Sequence, residues 1–212
     1  MDPLSAVEVR VLGSLLEKEV TTPEYYPLTL NALVNACNQK SNRDPVVSYN
    51  EETVTAALDS LRARQLATVL RGAGHRVEKF GHRFSEVLNL GRREIALLCV
   101  LMLRGRQTIG ELKDRCERLH DFTDLEEVES CLRSLMEREP PLAAKLPKLP
   151  GTKEPRYAHL LSGEVSAEPE LAPAHSSPRE DLVADLQAEV AELRGAVEQL
   201  QRQFSEFRQQ FE

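Results

Sequence analysis

Apolar positions along this chain recur twice in the same order. Val9, Leu12, Leu15 and Leu16 fall at helical spacing behind Ser5-Ala6-Val7-Glu8, a capping-box pattern in which serine and glutamate satisfy orphan backbone amides. A second stripe, Leu30, Leu33, Val34 and Cys37, follows Pro27 and predicts a helix starting near Thr29. A third, Val54, Leu58 and Leu61, is expected behind a cap at Ser48-Tyr49-Asn50-Glu51. The pattern then changes: 66–70 reads as a short strand, Gly72-Ala73-Gly74 as a turn and 77–84 as the returning strand.

The second copy runs Ile95, Leu98 and Met102, then a cap at Thr108-Ile109-Gly110-Glu111, then Val128, Leu132 and Leu135. A hairpin over 142–161 closes it, and Pro147, Pro150 and Pro155 predict an irregular loop with little ladder bonding. Cys116 follows Thr108-Ile109 as Cys37 follows Thr29-Leu30, and Arg156-Tyr157 follows Leu132 and Leu135 as Arg83-Phe84 follows Leu58 and Leu61. Three helices and a hairpin are the plan of a winged helix, a helix-turn-helix variant that holds nucleic acid or another protein. The expected fold is therefore mainly α (α+β), with tandem winged-helix domains over 1–90 and 91–162.

Residues 163–179 are rich in proline, serine and alanine and lack a core, which predicts a disordered linker. In 180–212 the apolar positions follow an alternating three-four spacing: Val183, Leu186, Val190, Leu193, Val197, Leu200, Phe204, Phe207 and Phe211. That is a coiled-coil seam, and valine and leucine in these positions favour a parallel homodimer through this C-terminal helix. The alternatives are a helix folded back on its own chain, a trimer, or a partner helix docked on the phenylalanines.

Composition changes the picture in one respect. The net charge of −7 belongs to the tail: residues 1–163 hold 23 basic and 23 acidic side chains, and residues 164–212 hold 4 and 11. A basic stripe over 62–93 survives the acidic average, because eight lysines and arginines there face only Glu78 and Glu86. The acidic tail could compete with nucleic acid for that stripe. No apolar run approaches the roughly 20 residues that span a bilayer, and no signal peptide is evident, so a cytoplasmic protein without membrane contact is expected. The four cysteines lack close pairing, which suits reduced, buried thiols.

Candidate phosphate contacts are Arg71, Arg76, Lys79 and Arg83 on the first hairpin, Arg62 beside it, and Lys40, Asn42 and Arg43 in the polar loop before Pro45. That loop has an equally good reading as a structural turn shaped by Asn38, Asn42 and Asp44. Opposite the apolar stripe, the third helix shows Glu52, Ala56, Asp59 and Ala63. Its counterpart in the second unit shows Glu126, Glu129, Ser130, Arg133 and Glu137, and acids there oppose approach to DNA.

Across Pro27-Leu28-Thr29-Leu30-Asn31-Ala32-Leu33-Val34-Asn35-Ala36-Cys37-Asn38-Gln39-Lys40-Ser41-Asn42-Arg43-Asp44-Pro45 the chain resembles the signature of the YceH-like family of bacterial proteins. The likeness extends from Leu4 through 161, about three quarters of the chain. It implies a tandem winged-helix fold in a bacterial cytoplasm, often with an acidic C-terminal helix, and it implies no activity or site residues.

Enzymatic chemistry is not expected. His75, His82, His120, His159 and His175 show no pairing with a nucleophile, and no phosphate-cradling glycine loop is present. Cys116 and His120 with Cys131 could form part of a zinc site, but packing explains them more simply, so neither metal nor cofactor is expected. Two function classes stand: a dimeric regulator associated with double-stranded DNA through basic wings, and a scaffold whose winged helices dock a protein partner while the coiled coil sets valency. Fold alone does not separate them.

Overall fold

The computed structural model describes residues 2–70, 77–148 and 154–163. It is a mixed α and β structure, with seven α-helices and two small antiparallel sheets among the described residues. Helix α1 (Ala6–Thr21) begins on the expected capping box, with the Ser5 hydroxyl accepting from the Glu8 amide and the Glu8 carboxylate from the Ser5 amide. A short 3-10 turn, Pro23–Tyr25, leads to strand β1 (Leu28–Thr29) and helix α2 (Leu30–Cys37), which starts where expected and has Thr29 as its N-cap. Helix α3 spans Glu51–Ala63.

The cap of α3 is a correction. Asn50, not Ser48, is its N-cap, and the Asn50 side-chain oxygen Oδ1 accepts from the amide and hydroxyl of Thr53. Asn38 explains the displacement: its side-chain amide donates to the Tyr49 carbonyl and its oxygen accepts from the Tyr49 amide, each at 2.7 Å. Tyr49 is thereby held outside the helix, which starts beyond it.

Strands β2 (Ala67–Leu70) and β3 (Lys79–His82) form the hairpin, with β3 in the middle of the order β1-β3-β2. Leu28 faces Phe80 in one pairing and Thr68 faces Gly81 in the other. The returning strand is shorter than 77–84, because Arg83 leaves the extended region and Phe84 opens a one-turn helix, α4 (Phe84–Val87), that buries its ring. The predicted turn at Gly72-Ala73-Gly74 lies outside the described residues.

The element order then repeats. Helix α5 (Arg92–Arg104), α6 (Ile109–Cys116) and α7 (Leu125–Met136) precede β4 (Ala143–Lys145) and β5 (Tyr157–His159). The Thr108 capping box opens α6 as expected. Even β1 has a counterpart: Gln107, just before the α6 cap, bridges to Tyr157 on the hairpin, as Leu28, just before the α2 cap, pairs with Phe80.

Helices α1 and α5 are buried on nearly every side. Residues 8–16 and 96–103 are all buried, a pattern that a one-faced amphipathic helix does not show. The two helices pack on each other at Gly13, where a Cβ would stand 2.9 Å from Leu103 Cδ2 and 3.3 Å from Met102 Cβ. The buried side chains of both repeats consequently form one continuous core.

Candidate functional site

The loop after α2 carries the first candidate contacts, and its backbone is fastened on both sides. Asn38 brackets Tyr49 as described, and the Asp44 amide donates to the Leu103 carbonyl of α5 at 2.8 Å. Asn42 takes a left-handed backbone, φ 56°. That conformation is uncommon outside glycine and favours asparagine among the rest.

Arg43 turns inward from this bend, so its assignment to phosphate is withdrawn. The side chain has no exposed surface. Its guanidinium meets Glu17 at two points, Nη2 to Oε2 at 2.6 Å and Nη1 to Oε1 at 3.0 Å, and also donates to the Ala36 carbonyl and to Gln39 Oε1. Burial raises the Glu17 carboxyl, yet the Arg43 charge and hydrogen bonds prevail and hold it below the usual carboxylate range. Arg10 has a similar occupation: it is buried and donates to the Cys37 carbonyl at 3.1 Å and to that of Pro45. Two arginines thus act as brackets for the loop.

The remaining candidates face water to different degrees. Lys40 is exposed and Lys79, on β3, is half-buried. Arg83 is exposed and lies 3.3 Å from Glu86; Arg62, on α3, pairs with Asp59 at 2.8 Å. Arg71 and Arg76 lie outside the described residues, as does the whole predicted seam of Val183, Leu186, Val190, Leu193, Val197, Leu200, Phe204, Phe207 and Phe211.

Exposed acids mark both third helices. Glu51, Glu52 and Asp59 face solvent on α3, and Glu126, Glu129 and Glu137 on or beside α7. On the second hairpin Lys145 and Lys148 are exposed, and the Lys145 ammonium stands 5.8 Å from the centre of the Tyr157 ring.

No group of three or more His, Cys, Asp and Glu able to hold a metal occurs among the described residues. Cys116 and Cys131 are both buried, and burial pushes the Cys131 thiol up to about 12 and the Cys116 thiol higher still. His120 instead lays its ring edge-on against Phe122. No described helix is long and apolar enough to cross a membrane.

A cleft of about 330 Å³ opens between α1, the loop after α2, α5 and α6. Lys18, Arg104, Arg115 and Arg118 line it, and its one acid is Glu17, already committed to Arg43. Sequence reasoning missed this set. Its members lie about 100 residues apart, and the signal for it, a cation in the last turn of α1, α5 and α6 alike, reads first as compensation of helix ends.

Residues 4–152 match the family model described as "Protein of unknown function, DUF480". The chain is 56% identical over 192 residues to a UPF0502 protein of Opitutus terrae, covering 90% of this chain and 83% of that one. It is 62% identical over 161 residues to a UPF0502 protein of Citrifermentans bemidjiense, covering 76% and 74%. With a UPF0502 protein of Geobacter sulfurreducens the identity is 50% over 216 residues, covering 99% and 98%.

Proposed function

The chain belongs to the DUF480 family of bacterial proteins, and we propose that it is a non-enzymatic, cytoplasmic tandem winged-helix protein that binds double-stranded DNA through its hairpins. The membership bears out the resemblance read from residues 27–45. The observation that carries the function is the segregation of charge. Exposed acids outnumber exposed bases on the third helices, Glu51, Glu52 and Asp59 beside Arg62 on α3 and Glu126 and Glu129 beside Arg133 on α7, while Lys79 and, just beyond its strand, Arg83 in the first repeat and Lys145 and Lys148 in the second supply cations to the hairpins. A third helix so charged is a poor reader of the major groove, because each acid repels the phosphates flanking it. Phosphate contacts by the wings position a protein without reading sequence, and that is the mode this charge pattern favours. Dimerisation through 180–212 would double the number of wings on one duplex and raise avidity without new contacts.

A second reading, docking of a protein partner, has its own support in exposed apolar side chains at the hairpin: Leu70 is 47% and Val77 59% exposed. The two readings part on charge. Fluorescence anisotropy of the full chain with a random-sequence duplex, titrated across salt, would be compared with a variant in which Arg71, Arg76, Lys79 and Arg83 are all changed to glutamate. Binding that weakens steeply with salt and vanishes in the folded variant supports the wings as the phosphate surface. Absence of binding at low salt rejects the DNA reading in favour of the scaffold, in which charge reversal leaves partner binding intact.

A further inference from the structure

We propose that the acidic segment 180–192 of this chain docks on the outer face of the first hairpin, at Leu70, Val77, Lys79 and Arg83, and so covers the wing from within the same molecule. Charge points there first. Residues 164–192 hold eight acids and one base, Arg179, whereas 193–212 hold three of each, so the whole net charge of −7 falls before residue 193. Its counterpart is the stripe over 62–93, where eight lysines and arginines face two glutamates. Opposite charges gathered on this scale attract strongly once they come within a Debye length, about 8 Å at physiological salt.

The receiving face is apolar with cations beside it. Residues paired directly across a sheet share a face, and successive ones alternate. Phe80 is buried on the core side, so Lys79 with its partner Leu70, and Gly81 with Thr68, lie on the other. Gly81 floors this face: a Cβ there would stand 3.4 Å from Leu70 Cδ1 and 3.2 Å from Tyr26 Oη. Leu70 leans over it with about half its surface in water, and Val77, two residues before Lys79, is more exposed still. No ion pair among the described residues engages Lys79, and Glu78 beside it is itself partnered. Arg83 has an exposed pair with Glu86, which a second carboxylate can replace at little cost. Such a face suits a segment that interleaves apolar residues with acids. Residues 180–192 do so, with Leu182, Val183, Leu186 and Val190 set among five acids and no base.

The fold also delivers the tail to this place. The Leu4 amide donates to the Leu161 carbonyl at 2.7 Å, and a Cβ on Gly163 would stand 3.6 Å from Pro3 Cγ. Arg64, at the end of α3, donates to the Asp2 and Pro3 carbonyls at 3.0 and 3.2 Å. Two residues on, the Leu66 carbonyl accepts from the Arg83 amide at 2.8 Å. The chain thus leaves the second repeat beside the root of the first hairpin. The 16 residues between Gly163 and Glu180 reach at most about 55 Å, while the four residues of β2 extend only about 13 Å. Docking therefore needs no second molecule, and the tether raises the effective concentration of the segment at the hairpin. Its consequence rests on the DNA reading above: the docked segment keeps Lys79 and Arg83 from phosphate until a duplex displaces it.

The test uses the full chain carrying a nitroxide on A184C, a position the label reaches selectively because the four native thiols are buried. Isotope-labelled, spin-labelled protein is diluted into an excess of unlabelled, unmodified protein, so that only contacts within one chain register. The amide signals of Thr68, Leu70, Lys79 and Gly81 should broaden, and those of Ala143, Ala144 and Lys145 on the second hairpin should not. Neutralising the segment as E180Q/D181N/D185N/E189Q/E192Q should reduce the broadening severalfold. Broadening that is absent from the first hairpin, equal on both hairpins, or unchanged by that variant overturns the proposal. Broadening lost on dilution also overturns it, by assigning the face to the tail of a second copy. None of these readouts involves DNA. A random-sequence duplex is then added: relief of the broadening as it binds supports a shared face, and a duplex that binds with the broadening intact overturns the masking. A duplex that fails to bind refutes the wing reading alone, and the broadening in the protein by itself still decides the docking.

Discussion

Arg43 and Glu17 meet through two hydrogen bonds, at 2.6 and 3.0 Å, from positions 26 residues apart. The pair ties the loop after α2 to α1, and the loop in turn reaches α5 through Asp44 and Leu103. Removing the arginine leaves a largely enclosed carboxylate and the Ala36 carbonyl without their donor. Breaking one side of such a pair costs about 3 kcal/mol. We therefore expect Arg43→Ala to lower the unfolding free energy from urea titration by about that amount, while a double-mutant cycle with Glu17→Gln shows strong coupling. Additive effects would show that the pair is not a unit.

Gly13 is where α1 and α5 come closest, and it offers a test of the shared core. An added Cβ would press on Leu103 Cδ2 at 2.9 Å and Cγ at 3.0 Å and on Met102 Cβ at 3.3 Å. Alanine gains about 1 kcal/mol of helix propensity over glycine, but overpacking costs about 1–3 kcal/mol. Overpacking wins here, because Met102 Cβ is close to the backbone and moves only if α5 moves. Thermal melts should show Gly13→Ala destabilised by about 1 kcal/mol and Gly13→Val by more. Each should keep a single transition, since one core serves both repeats; a biphasic melt would show that the repeats unfold separately.

Glu8 serves two neighbours at once. Its Oε2 closes the α1 capping box on the Ser5 amide at 2.7 Å, while its Oε1 accepts from the Ser60 hydroxyl of α3 at 2.6 Å and lies 3.7 Å from Arg64. A cap alone is worth about 1 kcal/mol, and the hydrogen bond to the half-buried Ser60 hydroxyl adds about 1 kcal/mol more. Denaturant unfolding should find Glu8→Ala costlier than Ser60→Ala. Equal losses would mean that the cap contributes nothing.

These residues also mark what the sequence makes legible. The three helices of each repeat and the Ser5 and Thr108 caps follow from local spacing and short-range hydrogen bonding, and they stand where the pattern puts them. Ser48 misled because Ser-x-x-Glu is necessary for a capping box but not sufficient. Asn38, 11 residues away, claims the backbone at Tyr49, and no local pattern contains that. Arg43 misled for the same reason: a cation in a polar loop looks solvated until Glu17 is folded against it. The cationic cleft is the extreme case, since its lining is assembled only when α1 and α5 pack.

His159 gives the last prediction its pH window. On β5 its Nδ1 is buried without a hydrogen-bond partner, and burial pushes the imidazole down to about 4 from its ordinary 6.5. The folded chain therefore refuses a proton that the unfolded chain accepts between about pH 6.5 and pH 4. Stability is complete above that window and falls as pH drops through it, because the unfolded state binds more protons there. Between about pH 7 and pH 5 the loss amounts to about 2 kcal/mol from this one group. His159→Gln removes the titration while keeping a polar side chain, so its unfolding free energy should change less over the same interval. The difference between the two proteins isolates the histidine from every carboxylate that also titrates. Parallel pH profiles for both would mean that the second hairpin opens enough to hydrate His159, and the hairpin, rather than the ring, would then be the element to examine by hydrogen exchange.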